Sequence, residues 1–341
     1  MFNLLIVVAV GALSVWSTGR FRRIAGARGL LDVPNTRSSH DRITPRGGGI
    51  AIVLSFALAC GLMYALGRMP APAFAALVGG GLVVAATGLI DDLRDLSPAA
   101  RILVHFAAAF WALAWLGGLP PFGLPATAYE TGATGYLLGA VMLVWLLNLY
   151  NFMDGIDGIA GAETVAVAGA AAVLLMAAGE WEISVWLLCL ASSAAGFLFW
   201  NWPPARIFMG DVGSGFLGYA LGVFALLTAS AGWLSIWTWI ILLGAFLADA
   251  SVTVLRRMLR GDRWYAAHRS HAYQHAARRW GSHRKVTIGV IVVDLVWLLP
   301  LAVLSQAFPH AAPWLVLVAI LPLIGMALAL GAGKAEQSSV G

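Results

Sequence analysis

Three carboxylates fall within five residues, at Asp91, Asp92 and Asp95. On a helix, Asp95 shares a face with both of the others, at spacings of i, i+3 and i, i+4. Like charges this close repel one another, and Mg²⁺, or Mn²⁺ as an alternative, would relieve the repulsion through oxygen ligands. The segment therefore fits a metal site for phosphate chemistry, and a solvated acidic turn beside Arg94 is the alternative interpretation.

Two further aspartate segments carry glycines beside the carboxylates. Asp154 and Asp157 lie three residues apart in the glycine-bearing run 151–158. Capping of a helix would need only Asp157, so that interpretation leaves the second carboxylate unexplained. Asp211 precedes a Gly-Ser-Gly run, and backbone N–H groups at such a helix start are suited to holding phosphate.

Basic residues and histidines gather in two other segments. Segment 255–286 holds nine Lys and Arg residues and four of the seven histidines, which suits contacts to phosphate or sugar. A topology signal, anionic lipid or a zinc site would also use these residue types. Segment 20–47 is basic and leads into three successive glycines, 47–49, which predict a close backbone approach. Asp249 lies seven residues before Arg256 on one helical face, so we expect a structural ion pair there.

The remainder of the chain is strongly apolar, and it determines which elements position these groups. Of the 341 residues, 60% are hydrophobic and 11% are charged, with a mean hydropathy of +0.84. Soluble chains carry about 25% charged residues. The composition therefore excludes a soluble enzyme, a disordered chain, a disulfide scaffold and a nucleic-acid-binding protein. Cys60 and Cys189 lie in apolar runs and are expected to be core residues.

We predict an all-α polytopic membrane protein with about eleven transmembrane helices, forming a single integral membrane domain over residues 1–341. A spanning helix needs about 20 mostly apolar residues. The stretches that approach this length are 2–19, 48–67, 73–90, 102–118, 135–150, 160–178, 183–200, 213–230, 233–254, 287–305 and 312–331.

The distribution of basic residues predicts the orientation. Cytoplasmic segments are enriched in Lys and Arg. If the spans cross the membrane in alternate directions, every second connecting segment and the tail after 331 lie on one side. These segments hold all of the 21 Lys and Arg residues except Arg68. This places the N-terminus outside, the C-terminus inside and the active site on the cytoplasmic face. The cytoplasmic loops that would form that site are 20–47, 91–101, 151–159, 201–212 and 255–286.

Four motifs in this order resemble the polyprenyl-phosphate N-acetylhexosamine-1-phosphate transferases, which form glycosyltransferase family 4. The motifs are the Asp-Asp pair at 91–92, the run 151–158, the run 208–214 and the histidine-bearing loop before the last spans. The family includes undecaprenyl-phosphate N-acetylglucosamine-1-phosphate transferase and phospho-N-acetylmuramoyl-pentapeptide transferase. The likeness extends from segment 20–47 to about residue 287.

The resemblance implies roles for the matched positions. Asp211 corresponds to the Mg²⁺ ligand, with Asp92 as a second ligand. Asp91 and Asp92 correspond to the catalytic pair, and Asp154 and Asp157 to catalytic carboxylates on the nucleotide side. The residues predicted to bind substrate are Asn151, Asn201, Arg101, His268, Arg269, His271, Tyr273, Gln274, Gly213, Ser214, His40 and Arg46.

The implied activity is Mg²⁺-dependent transfer of an N-acetylhexosamine 1-phosphate from a UDP-sugar to undecaprenyl phosphate. The products would be undecaprenyl-diphosphate-sugar and UMP, made at the bacterial cytoplasmic (inner) membrane. The expected partners are the two substrates and membrane lipids, with no nucleic acid, and a homodimer is the assembly considered. This step would begin the synthesis of O-antigen or another cell-envelope polysaccharide.

One loop departs from the common His-x-His-His pattern of the family. The aligned run is His271-Ala272-Tyr273-Gln274. It resembles a branch that starts O-antigen-type chains with 6-deoxy sugars such as N-acetylfucosamine, so either such a sugar or N-acetylglucosamine is expected.

Several alternatives remain open at this stage. Direct attack and a covalent phospho-aspartyl intermediate are both compatible with the motifs. Asp91 is either a general base or a positioning or metal-associated group; the second role is favoured because a phosphate monoester is already mostly dianionic at pH 7. A transporter or flippase for a phospho-sugar lipid is the alternative function, although the acids lie at one face and no inverted repeat is evident.

Overall fold

The computed structural model describes residues 2–34, 42–119, 132–262 and 268–334. These residues form fifteen α-helices and one two-stranded antiparallel sheet. The helices of the first half are α1 (Phe2–Ala27), α2 (Ile50–Ala65), α3 (Ala71–Phe74), α4 (Gly81–Arg94), α5 (Pro98–Leu116), α6 (Gly132–Met153) and α7 (Ile159–Ala177). Those of the second half are α8 (Trp181–Asn201), α9 (Asp211–Ser230), α10 (Ile236–Leu242), α11 (Gly244–Leu259), α12 (Ala272–Trp280), α13 (His283–Val293), α14 (Leu299–Ala307) and α15 (Ala312–Leu330).

Each of the eleven predicted apolar stretches coincides with helix in the part of the chain described. Nine helical segments there are long and apolar enough to span a membrane. Two of the nine are composite, because π-helical turns join α3 to α4 and α13 to α14. A tenth span is broken, since α10 and α11 meet at an angle of 79°. The remaining stretch, α2, has 16 residues and is about 24 Å long, shorter than a hydrocarbon core of about 30 Å. The prediction of an all-α polytopic membrane protein is confirmed, and the orientation of the termini stays a prediction.

Helix α9 lies at the centre of the bundle and brings Asp211 to one end of it. It packs against α4 and α6, and its glycines allow backbones to approach closely. A Cβ on Gly218 would lie 2.5 Å from the carbonyl oxygen of Leu146 on α6. The contact with α4 is equally close, since a Cβ on Gly88 of that helix would overlap the backbone of Asp211. The ends of α4, α6 and α9 therefore meet around Asp211.

The glycine run 47–49 makes the close approach that the sequence predicts. Strands β1 (Leu31–Asp32) and β2 (Thr44–Pro45) pair, and β2 leads into this run. The N–H groups of Gly48 and Gly49 donate to the carbonyls of Phe208 and Met209, each at 2.9 Å. A Cβ on Gly49 would overlap the backbone of Gly213, so the basic N-terminal segment is held against the start of α9.

The expected ion pair between Asp249 and Arg256 is wrong. Both oxygens of Asp249 accept backbone N–H groups at the start of α12, from Ala272 and Tyr273 at 2.9 Å. Arg256 donates to the carbonyl of Ala332 at 2.7 Å. The unsatisfied donors of a helix start attract the buried carboxylate, and a spacing of seven residues on one helix could not reveal that tertiary contact.

Candidate active site

Arg101 joins two of the predicted aspartates. Its Nη1 lies 2.5 Å from Asp91 Oδ2 and 3.3 Å from Asp211 Oδ2. Asp91 ends α4, Arg101 opens α5 and Asp211 opens α9, so three helix termini meet at one guanidinium. The other Asp91 oxygen, Oδ1, accepts from the N–H of Leu96 at 2.6 Å. Asp91 is 9% exposed and the Asp211 side chain 34%, so Asp211 is the more accessible of the two carboxylates.

Asp92 fastens the start of α9. Its Oδ1 accepts from the N–H of Asp211 at 3.2 Å, and its Oδ2 accepts from the N–H of Val212 at 3.3 Å. These are two of the donors that a helix N-terminus leaves unpaired. Arg46, a predicted substrate-binding residue, donates to the backbone carbonyl of Asp92. Basic segment 20–47 is thereby tied to the acidic cluster.

Asp154 faces the same cluster from the turn between α6 and α7. Burial and the negative charges of Asp211, Asp92 and Asp157 raise its pKa well above the usual value. Such crowding of carboxylates is relieved by a cation or by protonation. Asn151, one turn earlier, donates from Nδ2 to Ser214 Oγ at 3.2 Å. The run 151–158 and the start of α9 are thus in direct contact.

Asp157 and Asn201 connect three of the predicted loops. Asp157 Oδ2 accepts from the N–H of Ala205 at 3.0 Å, and Oδ1 lies 3.3 Å from Nδ1 of His283. Asn201 Oδ1 accepts from the N–H of Gly158, and its Nδ2 donates to the carbonyl of Ile207, both at 2.9 Å. Asn201 is buried, so its contacts brace loops 151–159 and 201–212 against each other.

The loop at 271–274, which differs from the His-x-His-His pattern of the family, packs behind the aspartate cluster. His271 is only 1% exposed and stacks on His268, with ring centroids 4.9 Å apart. Burial, together with the neighbouring His271 and Arg257, lowers the pKa of His268 to about 3, which makes it neutral at pH 7. Tyr273 donates its hydroxyl to the carbonyl of Phe152 at 2.9 Å. Burial, followed by the charges of Asp249 and Asp154, raises the pKa of that phenol.

A basic cleft of about 640 Å³ opens beside Asp157. Gln274 and Arg269, both predicted, line it, whereas Gly213 and Ser214 lie in the first turn of α9 instead. Three arginines and a histidine also line the cleft, and all but one come from the basic segment 255–286; these are Arg42, Arg278, His283 and Arg284. The cleft has the charge and size to receive a nucleoside diphosphate.

A small cavity of about 30 Å³ lies between Arg101 and Asp211, against the apolar side chains of α4 and α6. His105 and Asn148, which the sequence did not indicate, also line it, and Asn148 Nδ2 is 3.5 Å from His105 Nδ1. Polar groups and spanning helices therefore meet at this point.

Most of the predicted site residues come together in the structure. Within the parts of the chain described, no group of three or more His, Cys, Asp or Glu side chains has the spacing of a metal site. His40 lies outside the described residues. Of the predicted substrate-binding residues that the structure describes, Arg269 and Gln274 line the basic cleft, and His268 and His271 are not among its lining residues.

Comparison with known proteins agrees with this arrangement. The model of glycosyl transferase family 4 matches residues 74–229. A probable undecaprenyl-phosphate N-acetylglucosaminyl 1-phosphate transferase of Bacillus subtilis is 31% identical over 95% of this chain and 90% of its own length. The undecaprenyl-phosphate alpha-N-acetylglucosaminyl 1-phosphate transferase of Escherichia coli K12 is 26% identical over 88% and 83%.

A third relative matches over a shorter length. The phospho-N-acetylmuramoyl-pentapeptide-transferase of Moorella thermoacetica is 37% identical over 41% of this chain and 49% of its own. The family model spans the segments that carry Asp91, Asp154 and Asp211. With a relative above 30% identity that aligns along nearly the whole chain, this polytopic membrane protein belongs to glycosyl transferase family 4.

Proposed function

We propose that the protein transfers an N-acetylhexosamine 1-phosphate from a UDP-sugar to undecaprenyl phosphate, releasing UMP. The observation that carries the proposal is the meeting of Asp91 and Asp211 on Arg101 at the ends of membrane-spanning helices, together with a basic cleft that opens beside Asp157. A polyanionic donor would enter from the cleft, and a lipid phosphate would approach from the apolar side.

The acidic cluster would hold Mg²⁺ through one or two carboxylates, with substrate phosphate and water as the remaining oxygen ligands. Asp211 and Asp154 supply hard oxygens, and burial together with the charges of Asp211, Asp92 and Asp157 raises the pKa of Asp154. Asp92 would contribute less, since each of its oxygens already accepts a backbone N–H. When bound, the cation would neutralise charge on the donor diphosphate.

The protein's own residues would then position the two phosphates. Arg101 is fixed by two carboxylates and presents its remaining N–H groups for a phosphate. Asp91 has both oxygens occupied, by Leu96 N–H and by Arg101, so we assign it a positioning role rather than that of a general base. The acceptor phosphate is mostly dianionic at pH 7 and needs no base. Arginines of the cleft would hold the UDP portion of the donor.

The sugar remains a choice between two classes. Two of the relatives named above are N-acetylglucosaminyl 1-phosphate transferases, whereas the Tyr273-Gln274 pair favours a 6-deoxy-N-acetylhexosamine. Tyr273 is buried against Gly155, and Gln274 faces the cleft. Gln274 is therefore the residue of this pair that would contact the sugar. The reaction would take place at the cytoplasmic face of the inner membrane and would begin an O-antigen or similar polysaccharide.

Turnover by the purified protein tests the proposal. Detergent-solubilised enzyme is supplied with undecaprenyl phosphate, Mg²⁺ and a panel of UDP-N-acetylhexosamines that includes 6-deoxy forms, and UMP release is measured. We expect one donor to be preferred, and we expect EDTA or Asp211→Asn to abolish release. Folded protein that releases no UMP from any donor, or that turns over equally in EDTA, would contradict the assignment.

A further inference from the structure

Trp200, at the end of α8, lies between two arginines. The Cζ atoms of Arg22 and Arg206 lie 4.7 Å and 4.8 Å from the centroid of its ring. The indole N–H donates to the carbonyl of Val15 on α1 at 2.9 Å, which fixes the ring between two spanning helices. A Cβ on Gly19 would overlap the ring, so α1 leaves room for it. The aromatic face thus holds two cations in place.

Neither cation is neutralised within the described residues. No carboxylate among them lies within 4.0 Å of Arg22 or Arg206. Arg22 Nε is buried without a hydrogen-bond partner, which leaves a charged donor unsatisfied. Arg206 is exposed, and its side chain donates to the carbonyl of Phe199 at 3.1 Å. The two arginines are therefore suited to binding an anion that is not part of the chain.

An apolar groove begins at the same place. An open cavity of about 700 Å³ extends from Arg206 along the outer face of α8. Phe199, in its wall, is 56% exposed on a spanning helix and therefore faces lipid. The other lining residues are Ala195, Leu198, Trp202, Pro203 and Pro204. A charged head beside an apolar wall matches the two parts of a phospholipid.

We propose that the cluster Arg22–Trp200–Arg206 binds the phosphate of an anionic phospholipid whose acyl chain lies against α8. Its cavity shares no lining residue with the small cavity beside Asp211, so it is distinct from the proposed site of the acceptor phosphate. Pro203 and Pro204 line both this groove and the basic cleft. The bound lipid would therefore support the outer wall of the cleft.

Native mass spectrometry of the full chain in detergent tests the site. The protein is titrated with phosphatidylglycerol or with phosphatidylcholine of the same acyl chains, and bound lipid is counted. We expect Arg22→Gln and Arg206→Gln each to weaken phosphatidylglycerol binding about fivefold, because a basic residue near an anionic headgroup contributes about that factor. Phosphatidylcholine binding should be weaker in the wild type and unchanged in the variants.

Arg68→Gln is the matched control. Arg68 also stacks on an aromatic ring, that of Phe2, but at the opposite end of α1, and it pairs with Glu182 at 2.8 Å. The Arg68→Gln variant should bind phosphatidylglycerol as well as the wild type does. Equal binding of the two lipids by the wild type, or unchanged binding by both cluster variants, would overturn the proposal.

Two further outcomes distinguish a phospholipid site from a purely structural cluster and from a site for the acceptor lipid. Arg206→Lys keeps the charge and should retain more binding than Arg206→Gln. Equal loss in the two, or an altered gel-filtration profile, would show that the effect is structural and would overturn the proposal. Displacement of phosphatidylglycerol by an equimolar amount of undecaprenyl phosphate would assign the cluster to the acceptor lipid instead.

Discussion

The N–H of Asp211 donates to Asp92 Oδ1 at 3.2 Å. Asp92 therefore holds the start of α9, the helix that carries Asp211. Its neighbour Asp91 projects about 100° away around α4 and meets Arg101 instead. The two adjacent carboxylates therefore have different roles. Asp92 sets the position of α9, and Asp91 sets the position of the guanidinium.

We predict that Asp92→Asn lowers stability more than Asp91→Asn. The asparagine amide would place a donor against a backbone donor at the start of α9, which costs about 1–2 kcal/mol. Asp91→Asn loses an ion pair but also relieves repulsion with Asp211, and the two effects partly cancel. Thermal unfolding of both variants in detergent measures the difference. A melting temperature for Asp91→Asn at or below that of Asp92→Asn would contradict this division of roles.

Arg101→Lys should lower turnover by at least about tenfold, because an ammonium keeps the charge that Nη1 places between Asp91 and Asp211 but lacks the other guanidinium N–H groups that would hold a phosphate. The UMP-release assay provides the measurement. Arg94→Lys is the control, since Arg94 is exposed near the same helix end and should tolerate the change. Equal rates for both variants would show that the bridge does not contribute to transfer.

Much of the fold follows from apolar length, and much of the site follows from which span ends share a membrane face. Long apolar stretches become helices because the bilayer requires internal satisfaction of backbone hydrogen bonds. Alternation of spans then places Asp91, Asp154 and Asp211 at one end of the bundle. Apolar length is a local property of each stretch, and the alternation follows from counting the stretches, so both can be derived from a single sequence. The 79° break between α10 and α11 is not visible in an apolar stretch that reads as continuous.

Other assignments depend on tertiary contacts that spacing does not encode. Substrate binding by Asn201 stays a prediction, and the structure adds that both ends of its amide hold other segments, at Gly158 and Ile207. Asp249 was paired with Arg256 on its own helix, whereas it caps α12. In both cases a polar side chain satisfies backbone groups of a segment distant in sequence. The residue type indicated hydrogen bonding, but its partner depended on how the helices pack.

Gly88→Ala should strongly impair folding. The added Cβ would overlap the backbone of Asp211, and backbone atoms at a helix start cannot move aside as a side-chain tip can. Gly169→Ala is the matched control, because Gly169 lies inside α7 with no atom within 4 Å of an added Cβ. That change should be neutral or stabilise by up to about 1 kcal/mol. The yield of monodisperse protein and its melting temperature are compared; a Gly88→Ala protein as stable as the wild type would show that α4 and α9 can separate without cost.

Arg284→Gln should raise the KM for the UDP-sugar about tenfold and leave kcat nearly unchanged. Arg284 lines the basic cleft, and a hydrogen bond between an arginine and a diphosphate contributes about 1.5–3 kcal/mol. The cleft is separate from Arg101 and Asp211, so the loss should affect donor binding and not the transfer step. Lys285→Gln removes the same charge one residue later, outside the cleft lining, and controls for the general electrostatic field. Equal KM values for the two variants would mean that the donor is attracted by the basic face as a whole and is not bound in this cleft.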